Sequence, residues 1–143
     1  MADLDLKAES LRAIPMFSGL DELGLWHVSQ IVTEVDVPAG HVLLQPGQEG
    51  AGLFVVVSGS VNVEIPGGQT IACVAGEFIG ELSLLVDGLE HTVRVRAAEP
   101  AQCLAISRDE FARLLDDYPQ IAVSMLKVLA QRLAVTDEML KTR

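Results

Sequence analysis

The chain has 143 residues, half of them hydrophobic, with two cysteines and a formal net charge of −10 at pH 7; this fits one domain with a proper core and leaves little room for a second. The charge argues against a duplex-binding surface, which needs a basic face to displace phosphate counterions, and no apolar run approaches the length that spans a bilayer. The acidic, polar start Met1-Ala2-Asp3-Leu4-Asp5 is unlike an export signal, so a cytoplasmic setting with Cys73 and Cys103 as buried free thiols is expected.

In chain order, residues 5 to about 14 read as a short amphipathic helix on Leu6, Leu11 and Ile14, stopped by Pro15. A second helix is predicted from Asp21, near its N-cap, to about Gln30, packing through Leu23, Leu25, Trp26 and Val28, with Trp26 as a core anchor. From Ile31 the period changes to two, and short strands follow at His41–Gln45, Leu53–Val57, Val61–Ile65 and Thr70–Val74. The turns between them carry Pro38-Ala39-Gly40, the glycine-dense loop Pro46–Gly52, Ser58-Gly59-Ser60 and Pro66-Gly67-Gly68-Gln69. Gln102–Ile106 is one more strand. Regularly spaced short strands with turn signals indicate a sandwich or barrel rather than a parallel sheet.

The chain closes in helices. Ser107, with Glu110 three residues on, caps a helix from Arg108 to about Leu115. Pro119 opens a longer helix towards the C-terminus, in which Leu126, Leu129, Leu133, Thr136 and Leu140 form a heptad seam. Ile121, Met125 and Val128 form a second apolar stripe. One stripe can pack on the barrel and leave the other for a partner helix.

Between strands lies Phe78-Ile79-Gly80-Glu81-Leu82-Ser83-Leu84-Leu85, then a loop, then Glu90-His91-Thr92-Val93-Arg94-Val95-Arg96-Ala97. A glycine followed by a helix N-terminus offers unpaired N–H groups and a positive dipole end to a phosphate. Three readings stay open on these residues alone. The stretch is a plain corner, an anion site holding a phosphorylated small molecule, or part of a metal-dependent enzyme of the cupin type. The third wants clustered histidine and carboxylate ligands, and His27, His41 and His91 stand apart, so no metal is expected.

Three segments carry a resemblance: Gly47 to Gly59, Phe78 to Ala97 without a gap, and Ala130-Gln131-Arg132-Leu133-Ala134-Val135-Thr136. Through them the chain, from about Ile14 to Leu140, resembles the cyclic-nucleotide-binding domain family, and most closely the sensor half of catabolite-activator-type (Crp/Fnr) bacterial transcription regulators. The resemblance implies a mainly β fold, a β-jelly-roll (double-stranded β-helix) barrel with N-terminal helices and a long C-terminal helix. It implies one domain over residues 1–143, with helices in 1–30, the barrel in 31–107 holding a phosphate-binding cassette at 78–97, and helices in 108–143. No helix-turn-helix fits after Thr136, so the chain is expected either to stand alone or to end before an effector domain.

The same resemblance implies a site. Ile79, Gly80, Glu81, Leu82, Ser83, His91 and Thr92 would hold phosphate and ribose, and Val63 and Thr136 would face the purine or line the cavity. Gly80 would permit close backbone approach, amides at Leu82 and Ser83 would meet the phosphate, and Glu81 would accept from the ribose 2′-hydroxyl. The ligand expected is cAMP before cGMP, with no other cofactor, no catalysis, no membrane and no nucleic acid bound by this domain alone. A homodimer through the C-terminal helix is the expected assembly.

One position departs. The family places an arginine where this chain has His91. A guanidinium is always charged and forks onto two oxygens, whereas histidine offers one donor and is largely neutral near pH 7. The loss is on the order of 1.5–3 kcal/mol, and histidine makes stronger binding at low pH an expectation. Strand alternation turns Arg94 and Arg96 outward, away from the cavity. The alternative function is a degenerate sensor fold, without nucleotide, kept for dimerisation or protein interaction.

Overall fold

A computed structural model of the chain describes residues 10–47, 52–65, 67–81 and 93–141, without the side chains at 136, 137 and 139–141. Of the first expected helix, residues 10–12 are helical and the segment before them lies outside the described residues. The elements then run α1 (Glu22–Ile31), β1 (Thr33–Val37), β2 (Val42–Leu44), β3 (Gly52–Ser58), β4 (Ser60–Glu64), β5 (Thr70–Val74), β6 (Phe78–Ile79), β7 (Arg94–Ala97), β8 (Ala101–Ser107), α2 (Arg108–Asp117) and α3 (Gln120–Lys141).

Two four-stranded antiparallel sheets result, with orders β1-β8-β3-β6 and β2-β7-β4-β5. This is the mainly β jelly roll with flanking helices that the sequence implies. The first sheet is covered on both faces, which explains why β3 is apolar from Leu53 to Val57. Leu53 and Val55 face the helices, in one core cluster with Phe17, Leu25, Phe111, Ile121 and Met125. Val56 faces the second sheet, in another cluster with Val61, Cys73, Ile79, Val95 and Cys103. A strand buried on both faces reads as a continuous hydrophobic run. The second sheet has a wet outer face, so its strands alternate.

Arg94 and Arg96 lie on that outer face, as alternation predicts. Val95 and Ala97 are buried between the sheets. Arg96 Nε donates to Glu64 Oε1 at 2.8 Å and Arg94 Nε donates to Gln45 Oε1 at 3.2 Å. Cys73 and Cys103 are both buried and free. Burial, and then the Glu77 carboxylate, push the Cys73 thiol up to about 12, and burial raises Cys103 as well.

The helix caps fall where the sequence places them. Asp21 accepts from the Gly24 N–H at 2.8 Å, and Ser107 Oγ accepts from the Glu110 N–H at 3.3 Å. The packing face of α1 needs a correction. Leu25 and Val28 are buried, but Leu23 is 60% and Trp26 46% exposed, so Trp26 is no core anchor. The buried set is Gly24, Leu25, Val28 and Ser29, continued by Val32, and spacings of three and four among them define a single helix face. Leu23 and Trp26 fall on the other side.

Candidate functional site

The site begins at β6. Its two residues point to opposite cores: Phe78 packs on the helix side, and Ile79 is buried between the sheets. Both pair with β3, Phe78 opposite Val55 and Ile79 opposite Phe54. Ile79, expected at the ligand, therefore has its side chain in the core, and only its backbone lies on the route to the cassette.

Gly80 follows with φ +93°, a left-handed conformation that a side chain resists. A Cβ there would stand 2.8 Å from the carbonyl oxygen of Gly52. The close approach that this glycine permits is thus to the first strand of the glycine-loop signature. Two of the three resembling segments meet backbone to backbone.

Glu81 is next, and it is nearly buried, at 9% exposure. Burying a carboxylate demands a partner. The partner comes from α3: Arg132 Nη1 donates to Glu81 Oε1 at 2.8 Å. The same guanidinium donates through Nη2 to the Phe78 carbonyl at 2.7 Å and lies 4.6 Å from the centre of the Phe78 ring. Three contacts from one side chain fasten the long helix to the start of the cassette.

Leu82, Ser83, His91 and Thr92 lie outside the described residues. Thr136 falls within α3, four residues beyond Arg132, but its side chain lies outside the described set. Val63 is half-buried on β4, opposite Ile71 and Val95, and packs against the inter-sheet cluster. Arg132 was not singled out from the sequence. Its signal was spacing: Ile121, Met125 and Val128 mark the helix face that packs on the barrel, and Arg132 is the next position on that face, a lone cation closing an apolar stripe.

The stripe behaves as two patterns predict. Ile121 and Met125 are buried and Val128 packs against them, while Leu126 and Leu133 of the heptad seam are 65% and 63% exposed. Leu129 is shared, being partly buried against the core. Among the described residues no helix is long and apolar enough to cross a membrane.

The site thus sits on a jelly roll in which a positive-φ glycine and a buried glutamate follow β6, with the long helix α3 tied to them. The profile of the cyclic nucleotide-binding domain matches residues 34–118, and the chain belongs to that family. It is 27% identical over 134 residues to the CRP-like cAMP-activated global transcriptional regulator of Mycobacterium tuberculosis, covering 90% of this chain and 59% of the relative. It is 34% identical over 106 residues to the cAMP-activated global transcriptional regulator CRP of Salmonella typhimurium, covering 71% of this chain and 50% of the relative. Among solved structures it resembles the catabolite activator protein of Thermus thermophilus, with a TM-score of 0.78, 30% identity, and coverage of 89% of this chain and 62% of that one. The chain thus spans between half and three fifths of the length of these curated relatives.

Proposed function

We propose that the chain is a regulatory module that binds a cyclic purine nucleotide, cAMP before cGMP, and passes occupancy to its last helix and to a dimer partner or effector. The observation that carries this reading is the Glu81–Arg132 contact, which joins the start of the cassette to α3. In this reading Glu81 accepts from the ribose 2′-hydroxyl, and the amides of Leu82 and Ser83 meet the cyclic phosphate at a helix N-terminus. His91 and Thr92 donate to phosphate oxygens, Gly80 fixes the turn that presents them, and Thr136 with Val63 faces the purine.

Binding then shifts a population. A ligand that touches both the cassette and α3 favours the arrangement of that helix in which both contacts are made, and helix position in turn sets ligand affinity. The exposed Leu126 and Leu133 offer α3 a second helix, which supports a homodimer read through the same element. The relatives named above are transcriptional regulators, so a DNA-binding effector joined to this module, in the cytoplasm, is the setting proposed. The module's own charge of −10 opposes binding to a duplex.

His91 favours one rival, a fold retained for dimerisation without nucleotide, because the family's phosphate arginine is missing there. Calorimetric titration with cAMP and cGMP, on the native chain and on His91→Arg, separates the two. Micromolar binding by the native chain supports the sensor. Binding by the arginine variant alone supports the rival. Repeating the titration between about pH 5.5 and 8 tests the histidine itself, since affinity that ignores pH removes its charge from the account.

A further inference from the structure

We propose that the corner where α1 meets the end of α2 is a docking surface for a cationic protein segment, one that carries arginine beside an aliphatic anchor. It is independent of the nucleotide reading. The chain has one tryptophan and one tyrosine, and the fold brings both to the same histidine. The ring centres of Trp26 and His27 lie 5.3 Å apart, and those of His27 and Tyr118 lie 5.8 Å apart. The Tyr118 hydroxyl and His27 Nδ1 share a hydrogen bond. Gly24 makes room for the phenol, since a Cβ there would stand 3.1 Å from Tyr118 Cε1 and 3.3 Å from Asp21 Oδ1. Leu23 and Trp26, three residues apart on the outer side of α1, are both exposed.

The charge around the aromatics selects the occupant. Asp21 and Glu22 open α1, Asp116 and Asp117 close α2, and all four are exposed. Burial, and then the carboxylates of Asp21 and Asp117, raise the Tyr118 phenol, so both charges reach the cluster. Among the described residues none of the four is in an ion pair, not even with Arg113 one turn before Asp117. A nucleic acid or an anionic lipid surface would be repelled here. A second copy of the chain, docked about a twofold axis, would set acid against acid. A cation is the complement, and arginine fits best, because a guanidinium lies on an aromatic face while its edge meets a carboxylate. Leu23 beside Trp26 adds a seat for an aliphatic neighbour. Stacking and the hydrogen bond to His27 already hold the rings, so docking freezes little. The patch is small, which suits a transient contact rather than a permanent subunit interface.

The test uses the full chain and three synthetic amphipathic helical peptides, each with one face of leucine and alanine and the other of arginine, glutamate or glutamine. Trp26 is the sole tryptophan, so its emission reads the site directly, and calorimetry gives the affinity. The arginine peptide is expected to bind and to shift Trp26 emission to the blue, with an affinity that falls as salt screens the rim. Leu23→Ser with Trp26→Ser should weaken that binding by about tenfold or more, the loss of a hot spot. Asp21→Asn with Asp117→Asn should weaken it by about threefold or more, while asparagine keeps the cap of α1. If the first variant fails to fold by circular dichroism, the second carries the comparison. Equal binding of the glutamate or glutamine peptide, arginine-peptide affinity unchanged in both variants, or binding by none of the three peptides overturns the proposal. A dimer that Leu23→Ser with Trp26→Ser dissolves in the absence of peptide would assign the face to a second copy. A blue shift on phosphatidylglycerol vesicles alone would assign it to a membrane. Either of these outcomes overturns the proposal too, and all of them leave the nucleotide reading untouched.

Discussion

Replacing Glu81 by glutamine isolates what its ion pair with Arg132 contributes. Glutamine keeps the shape and one acceptor oxygen but removes the charge, so the hydrogen bond to Arg132 Nη1 changes from charge-assisted to neutral. Charge-assisted bonds contribute about 1.5–3 kcal/mol and neutral ones about 1. The pair lies between the limits for buried and surface pairs, since the glutamate side chain is 12% and the arginine 35% exposed. A loss of about 1–2 kcal/mol follows, which for a chain of this length lowers the melting temperature by roughly 3 to 8 °C. Urea unfolding gives the first quantity, and hydrogen exchange of α3 locates it. Beyond Met125 the face of α3 towards the barrel keeps only partly buried residues, and Leu133, Ala134 and Val135 are exposed. Amides around Arg132 should therefore exchange faster in Glu81→Gln, while those around Ile121 keep their protection. A variant within about 0.3 kcal/mol of the native chain, with unchanged exchange around Arg132, would refute the idea that this contact holds the helix.

Gly80→Ala should lose about 2–4 kcal/mol in urea unfolding without any nucleotide present, because φ is +93° and the new Cβ meets the Gly52 carbonyl oxygen at 2.8 Å. Unchanged stability with weakened nucleotide binding would instead assign this glycine to the ligand. Stability should fall as pH rises from about 9 towards 12, because the native state holds the Cys73 proton more tightly than the unfolded chain does. The slope contributed is at most about 1.4 kcal/mol per pH unit, and Cys73→Val should flatten the alkaline limb of a melting-temperature profile. Leu126→Asp with Leu133→Asp should turn a dimer into a monomer in analytical ultracentrifugation while leaving the melting temperature of the monomer nearly unchanged, since both leucines are exposed.

The fold was legible in the sequence wherever one face of an element decides its pattern. β5 falls at Thr70–Val74, the strand that the glycine turn before it leads into, and the wet outer face of β7 keeps Arg94 and Arg96 out of the barrel. It was less legible where tertiary contacts choose between faces. α1 carries apolar residues on both sides, and only docking on the barrel selects Leu25 and Val28 over Leu23 and Trp26. The candidate site divides in the same way. Gly80 and Glu81 announce themselves as residue types at the end of a short strand. That Gly80 serves the carbonyl of Gly52, and Glu81 a cation on a distant helix, depends on segments that meet only in three dimensions.

Those two meetings explain how a cassette could report its state. The N-terminal half of α3 is bound to the barrel by apolar burial through Ile121 and Met125, which no ligand at Glu81 would disturb. Further along the same face comes Arg132, whose contacts are an ion pair, a carbonyl and an aromatic ring. Polar contacts of this kind exchange partners at little net cost, because a new acceptor can replace an old one. Apolar burial has no such substitute. A nucleotide arriving at Glu81 would therefore act on the second half of α3 and leave the first half in place, pivoting the exposed Leu133 about the anchored Met125. In the proposed reading the helix is fixed by apolar burial at Ile121 and Met125, and the signal passes through the polar contacts of Arg132. The arginine that marks the change between the two regimes is also the one that touches the cassette.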